Sequence, residues 1–256
     1  MTGEAPRPDA GRRVDGVLFD IDDTLVDTRA AFGAALAAVA ERYLPHVRPE
    51  QHADLLATWR ADAGGHYARY TRGELGYAAQ RMVRANELHR RFGGPELDDA
   101  AYAAWAAVFE AGFTGAWAAH PDARGTVDRL LSAGVAVGAL SNAAVAYQAS
   151  KLERVGLLAD VPVLVGVDTL GFGKPDPRVF AEACRRLGTA PGRTAYVGDE
   201  LDVDARAAVA AGLLGVWVDR PGPRRTEVPD AGVAAAREAG VVVVRSLDEV
   251  PALLGV

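Results

Sequence analysis

Cysteine is nearly absent from this chain. Cys184 stands alone among 256 residues, which excludes a disulfide framework and fits a reducing cytosol. Lysine is almost as scarce. Of 28 basic residues only Lys151 and Lys174 are lysines. Against that arginine-heavy background an isolated arginine carries little information, whereas a lysine kept in the tight setting Gly173-Lys174-Pro175 carries more. No apolar run approaches the roughly 18–20 residues that a membrane-spanning helix needs. Excess positive charge is also missing. A net charge of −6 argues against binding nucleic acid through phosphate neutralisation. Neither a membrane nor a nucleic acid is therefore expected as a partner. The first thirteen residues, MTGEAPRPDAGRR, lack an apolar stretch and read as a disordered leader rather than a signal peptide.

What is present is the make-up of a folded protein. Half the residues are hydrophobic and 24% are charged, and the length suffices for one large domain or a core with a smaller second one. Short β-branched apolar runs at 14–19, 135–140, 161–165, 194–197, 215–218 and 241–244 predict buried strands. Helical patterns at 123–133, 144–155, 177–187, 203–211 and 232–239 fall between the later ones. This alternation predicts an α/β fold, a parallel sheet with helices on both faces.

Residues 28–117 behave differently. Ala/Leu/Arg stretches at helical spacing are broken at Pro45, Pro49, Gly64-Gly65, Gly73 and Gly93-Gly94-Pro95, and no strand pattern occurs among them. They predict about four helices inserted as a cap domain into a core made of residues 14–27 and 118–256. Such an insertion, after the first strand, lies above the crevice where an open α/β sheet binds its ligand. Trp59, Trp105, Phe109 and Trp117 are expected in the core of this bundle. The histidines at 46, 52, 66 and 89 lack metal-ligand spacing.

Four short segments carry the chemistry, each where a strand should stop. Asp20 ends the first strand, and Asp22 and Thr24 follow at steps of two. A carboxylate at a strand end can attack phosphorus and form an aspartyl-phosphate. A second one nearby can protonate the leaving oxygen and then deprotonate water. The simpler alternative is a helix cap supplied by Asp23 or Thr24. A matching acidic end, Gly198-Asp199-Glu200-Leu201-Asp202-Val203-Asp204, places Asp199 and Asp204 at the same crevice. Several carboxylates converging there imply a divalent cation, and all-oxygen ligation favours Mg²⁺ over zinc. Asp202 reads equally well as a supporting group or as the cap of the next helix. Lys174 can keep Asp20 ionised and meet a phosphate oxygen. Ser141 and Asn142 offer a hydroxyl and an amide at the end of the run 135–140, just ahead of a helix whose N-terminus favours anions.

The order Asp20-x-Asp22-x-Thr24, Ser141, Lys174, Gly198-Asp199 resembles the haloacid dehalogenase (HAD) superfamily. The helical insertion directly after the first motif resembles its subclass with an α-helical cap of the first type. The likeness covers essentially the whole chain after the leader. It implies a Rossmann-like core in which Asp20 is the nucleophile and Asp22 the general acid/base. It also implies Mg²⁺ held by the Asp20 carboxylate, the Asp22 backbone carbonyl and Asp199, with Asp204 as the second acidic residue of the last motif. Thr24, Ser141 and Lys174 fall at phosphate-binding and charge-balancing positions. Asp23 stands where many members carry glycine.

Within that resemblance Asp22 chooses among reactions. Members that expel halide lack an acid there, because no ester oxygen needs a proton. Members that cleave phosphonates use a cap lysine, and residues 28–117 contain none. The expectation is a Mg²⁺-dependent phosphatase acting on a small phosphate ester. A phosphomutase using the same two aspartates, or a non-catalytic binding module, are the alternatives. The leaving group should be read by the cap, where Arg72 and Glu74 in the arginine-rich stretch 69–92 are the candidate contacts, against the plainer reading of a solvated helix face. A monomer or a homodimer is compatible with the sequence.

Overall fold

The structure is a computed structural model that describes residues 14–222 and 228–256; the expected leader lies outside them. Six strands, β1 (Gly16–Phe19), β2 (Ala136–Leu140), β3 (Val163–Val165), β4 (Thr194–Gly198), β5 (Leu214–Val218) and β6 (Val242–Val244), form one sheet in the order β3-β2-β1-β4-β5-β6. Every pairing is parallel. All four residues of β1 are buried, as a strand with partners on both sides and helices on both faces requires.

The pleat sorts side chains by parity. Val17, Phe19, Val137, Ala139, Ala195 and Val197 face one hydrophobic cluster, while Leu18, Leu140 and Tyr196 face another. The first cluster is closed by α6 (Ala123–Ser132), α7 (Val145–Arg154) and α12 (Glu249–Leu254), the second by α9 (Pro177–Leu187) and α10 (Ala207–Ala210). Helices α8 (Val167–Leu170) and α11 (Asp230–Glu238) complete this part. From β1 the chain builds outward to β2 and β3 on one side and to β4, β5 and β6 on the other. The reversal point is between β1 and β4, where sheets of this kind open a crevice beyond their carboxyl ends.

Between β1 and α6 come five helices rather than about four: α1 (Thr28–Tyr43), α2 (His52–Ala61), α3 (His66–Thr71), α4 (Tyr77–Phe92) and α5 (Asp99–Gly115). The short α3 was not separable from its neighbours by periodicity, because six residues complete fewer than two turns. Asp27 starts α1 by accepting the Ala30 N–H at 2.9 Å, and Asp98 starts α5 by accepting that of Ala101 at 2.8 Å, the usual work of an N-cap. Small residues let α1 and α5 approach closely. A Cβ on Gly112 would lie 2.9 Å from the Ala35 Cα. Trp105 and Phe109 are fully buried in this bundle's own cluster, and Trp59 nearly so. No helix among the described residues is long and apolar enough to cross a membrane.

Candidate active site

Asp20 follows β1 directly, and its backbone N–H donates to Val197 O of β4 at 2.8 Å. That bond extends the sheet by one step and sets the Asp20 side chain beside the end of β4. Asp199 is the first residue after β4. The chain then makes a wide π-type turn over Leu201–Arg206, a form often found at functional sites, which returns Asp204 to the strand end. Gly198 is required there: an added Cβ would fall 2.4 Å from Asp204 Cγ. The result is that oxygens of Asp20, Asp199 and Asp204 lie within 4.8 Å of one another, with Asp20 and Asp204 buried.

Lys174 enters this cluster from the loop before α9. Its Nζ donates to Asp20 Oδ1, Asp204 Oδ1 and Tyr196 Oη, each at 2.7 Å, and the side chain is 3% exposed. A buried ammonium is tolerable only with such partners. Tyr196 in turn donates to Leu140 O at 2.9 Å, so the hydroxyl holds the lysine from below. The backbone of Lys174 is gripped too. Asn142 Oδ1 accepts its N–H at 2.6 Å and Asn142 Nδ2 donates to its carbonyl at 2.9 Å. Gly173 permits this, since a Cβ there would stand 2.2 Å from Asn142 Oδ1.

Burial pushes the Asp20 carboxyl up to about 8, against the opposing pull of Lys174 and with reinforcement from Asp204 and Asp22. Asp199 is also raised well above the ordinary carboxylate range, first by burial and then by Asp23, Glu200 and Asp20 around it. No cation pairs with the Asp199 side chain among the described residues. One ammonium thus faces three converging carboxylates. Their oxygen-only donor set and surplus negative charge fit a hard divalent cation of the Mg²⁺ kind.

Asp22 is held from the other side, by α7. Its Oδ1 pairs with Lys151 Nζ, and its Oδ2 accepts from Gln148 Nε2 at 2.6 Å. Gln148 Nε2 also donates to Ser141 Oγ at 2.7 Å, which links the ends of β1 and β2. Sequence reasoning missed Lys151, Gln148 and Tyr196. For Lys151 a signal existed, since it is one of only two lysines.

A cavity of about 360 Å³ opens over these groups. Asp20, Asp22, Ser141, Asn142, Lys174, Asp199 and Asp204 all line it, and so do Trp59, Arg60, Tyr67, Tyr70, Tyr77, Arg81, Arg84 and Phe113 from the helical insertion. Each of the three arginines already has a carboxylate: Arg60 pairs with Asp23, Arg81 with Glu110 at 2.7 Å, and Arg84 with Asp62 at 3.4 Å. Asp23 sits at φ 62°, the left-handed region that favours glycine and that aspartate tolerates better than most residues. Its side chain repays the strain by accepting from Thr28 Oγ1 and the Arg29 N–H.

Four of the expected contacts have settings of their own. Thr24 does not line the cavity; it is fully buried, and its Oγ1 has no partner among the described residues. Asn142 lines the cavity, and it uses its amide oxygen and one amide N–H on the backbone of Lys174, so it orients the lysine. Arg72 and Glu74 bind each other at 2.6 Å on the surface, about half exposed, and neither reaches the cavity. Pairing between near neighbours in sequence satisfied them locally. Asp202 pairs with Arg206 at 2.7 Å on an exposed face, as a helix-start residue would.

Comparison with known proteins shows the family. A family model described as haloacid dehalogenase-like hydrolase matches residues 14–212. The chain belongs to that family of hydrolases. It is 31% identical over 233 residues to a ribulose-1,5-bisphosphate 5-phosphatase of Halopiger xanaduensis, covering 87% of this chain and 90% of the relative. A glyceraldehyde 3-phosphate phosphatase of Methanopyrus kandleri is 36% identical over 125 residues, 46% of this chain; the match spans 54% of that relative's length. An (S)-2-haloacid dehalogenase 4A of Burkholderia cepacia is 37% identical over 109 residues, 41% of this chain and 45% of that one. Among solved structures, the HAD-hydrolase YfnB of Bacillus subtilis superposes with a TM-score of 0.76 at 20% identity, over 96% of this chain and all of that one. That last likeness is one of fold.

Proposed function

We propose that this chain is a Mg²⁺-dependent phosphatase that hydrolyses a small phosphorylated metabolite through an aspartyl-phosphate on Asp20. The observation that carries the reading is the meeting of Asp20, Lys174 and Asp204 at the carboxyl end of the sheet, with the second acid of the first motif, Asp22, facing the same cavity. A halide-expelling enzyme has no use for that second acid. The relatives named as phosphatases support the same choice.

In this mechanism an Asp20 oxygen attacks phosphorus, and the bond from phosphorus to the ester oxygen breaks. Asp22 gives a proton to the departing oxygen. It then takes one from the water that attacks the phosphoryl group, which frees Asp20 and releases phosphate. Lys174 holds Asp20 in place and offsets charge at the phosphoryl oxygens, while Ser141 presents its hydroxyl at the neighbouring strand end. The Asp20 and Asp199 carboxylates and the Asp22 backbone carbonyl, with Asp204 beside them, would hold Mg²⁺, which when bound supplies positive charge to the transferring group. Residues 14–27 and 118–256 act as the catalytic core. Residues 28–117 act as the cap, whose aromatic and arginine side chains contact the leaving group.

The test is hydrolysis of p-nitrophenyl phosphate with Mg²⁺ and with excess EDTA. Turnover should require the metal and should fall at least about 10³-fold in Asp20→Asn, since the attacking group itself is removed, with an unchanged circular dichroism spectrum. Substantial Mg²⁺-dependent turnover by a folded Asp20→Asn protein would sink the assignment.

A further inference from the structure

We infer that Lys151 and Gln148 are positioning residues for Asp22, a two-pronged clamp that fixes its carboxylate in one orientation for proton transfer. The inference rests on the acid/base role proposed for Asp22. The two donors sit three residues apart on α7, one turn of helix, so they project side by side. Each takes one oxygen of the same carboxylate: Lys151 Nζ holds Oδ1 and Gln148 Nε2 holds Oδ2. A carboxylate offers about four lone-pair sites, so each oxygen keeps one for a proton in transit. The Asp22 side chain is also 36% exposed and lines the substrate cavity. It is anchored at the back and open at the front.

The setting of Lys151 is costly for a group that only fills space. Its side chain is 1% exposed, and an ammonium taken out of water needs a partner to be tolerated. Besides Asp22 it has three aromatic rings, Phe113, Trp117 and Tyr147, with centroids 5.5, 5.6 and 5.5 Å from Nζ, the range of cation–π attraction. Phe113 belongs to α5 and Trp117 to the segment after it, whereas Tyr147 is on α7 itself. The lysine is therefore braced from two elements and has little freedom to lead the carboxylate elsewhere. Proton transfer requires a donor within about 3 Å of the leaving oxygen and aimed at it; that is what such bracing supplies. Gln148, fully buried, ties the same device to Ser141.

The clamp is tested by kinetics on two esters of similar shape, p-nitrophenyl phosphate, whose leaving group needs little help from an acid, and phenyl phosphate, whose leaving group needs more. The value read is kcat/KM with Mg²⁺, which reports the steps through departure of the leaving group. Lys151→Met should lose about 10- to 100-fold on phenyl phosphate, a share of what a general acid contributes, and less than about threefold on p-nitrophenyl phosphate. Lys151→Arg, which keeps charge and ring contacts, should recover most of the loss. In an Asp22→Asn background Lys151→Met should cost nothing further, the non-additivity of residues that act through one another. Gln148→Leu, which nearly conserves volume, should show the same ester preference with a smaller loss. It carries the test if Lys151→Met proves unfolded by circular dichroism. Equal losses on both esters, or additivity with Asp22→Asn, would overturn the clamp while leaving the phosphatase reading intact. A wild-type protein inert on both esters would overturn the phosphatase reading and the clamp with it.

Discussion

At the scale of single residues the site is a problem in charge placement. Among the described residues Lys174 is the only ammonium against Asp20 and Asp204, and the protein secures it at both ends. Asn142 fixes its backbone and Tyr196 its Nζ. The Tyr196 hydroxyl both accepts from Lys174 and donates to Leu140 O, so Tyr196→Phe leaves a buried carbonyl and an ammonium each short of one partner. We expect a loss of about 1–2 kcal/mol in stability, the usual cost of an unmade buried hydrogen bond, together with a several-fold drop in kcat. Urea unfolding and steady-state kinetics check the pair. An unchanged kcat would show that Lys174 needs no support from that side.

At the scale of elements, the carboxyl ends of β1, β2 and β4 bring Asp20, Ser141 and Asp199 together because the three strands are adjacent in the sheet. This much was legible in the sequence. A charged or hydroxyl residue closing a short apolar run marks both the strand and the edge at which it ends. The contacts of Lys151 were not legible. They depend on α7 crossing near the end of α5, and nothing local to residues 145–154 encodes that crossing. The setting of Arg72 and Glu74 was not legible for the opposite reason: their pairing is local, and a cluster of charges looks alike whether it faces a cavity or solvent.

A second junction holds the elements in place. Asp122, the residue before α6, accepts from Arg220 Nη1 at 2.7 Å, from Ser246 Oγ at 2.8 Å and from the Leu247 N–H at 2.9 Å. Burial works against its ionised form, but these donors prevail and lower its carboxyl from 3.8 to about 2. A depressed folded-state value gives stability that is present above about pH 4 and lost as pH falls through about 2. Asp122→Asn should therefore cost about 1–2 kcal/mol at pH 7. The gap from wild type should close between pH 4 and 2, as followed by urea unfolding at each pH. A gap that persists at pH 2 would mean that packing, and not charge, is what Asp122 supplies.

For the molecule as a whole, the helical insertion and the sheet meet around the cavity that Asp20 lines. The sheet edge supplies groups suited to phosphoryl chemistry, and the helices supply the wall that a leaving group would touch. Asp23 and Arg60 join the two parts directly, as does the cage of Phe113, Trp117 and Tyr147 around Lys151. The wall is aromatic, and its three arginines are each matched by a carboxylate, so shape and ring faces outweigh net charge there. The proposed chemistry turns on the identity of the nucleophile. It is tested most directly by quenching the enzyme in acid within milliseconds of mixing with a phosphate ester and Mg²⁺, then locating any covalent phosphoryl group by peptide mass spectrometry. One phosphoryl group is expected on the peptide carrying Asp20, absent from Asp20→Asn. A phosphoryl group on any other residue would contradict this expectation.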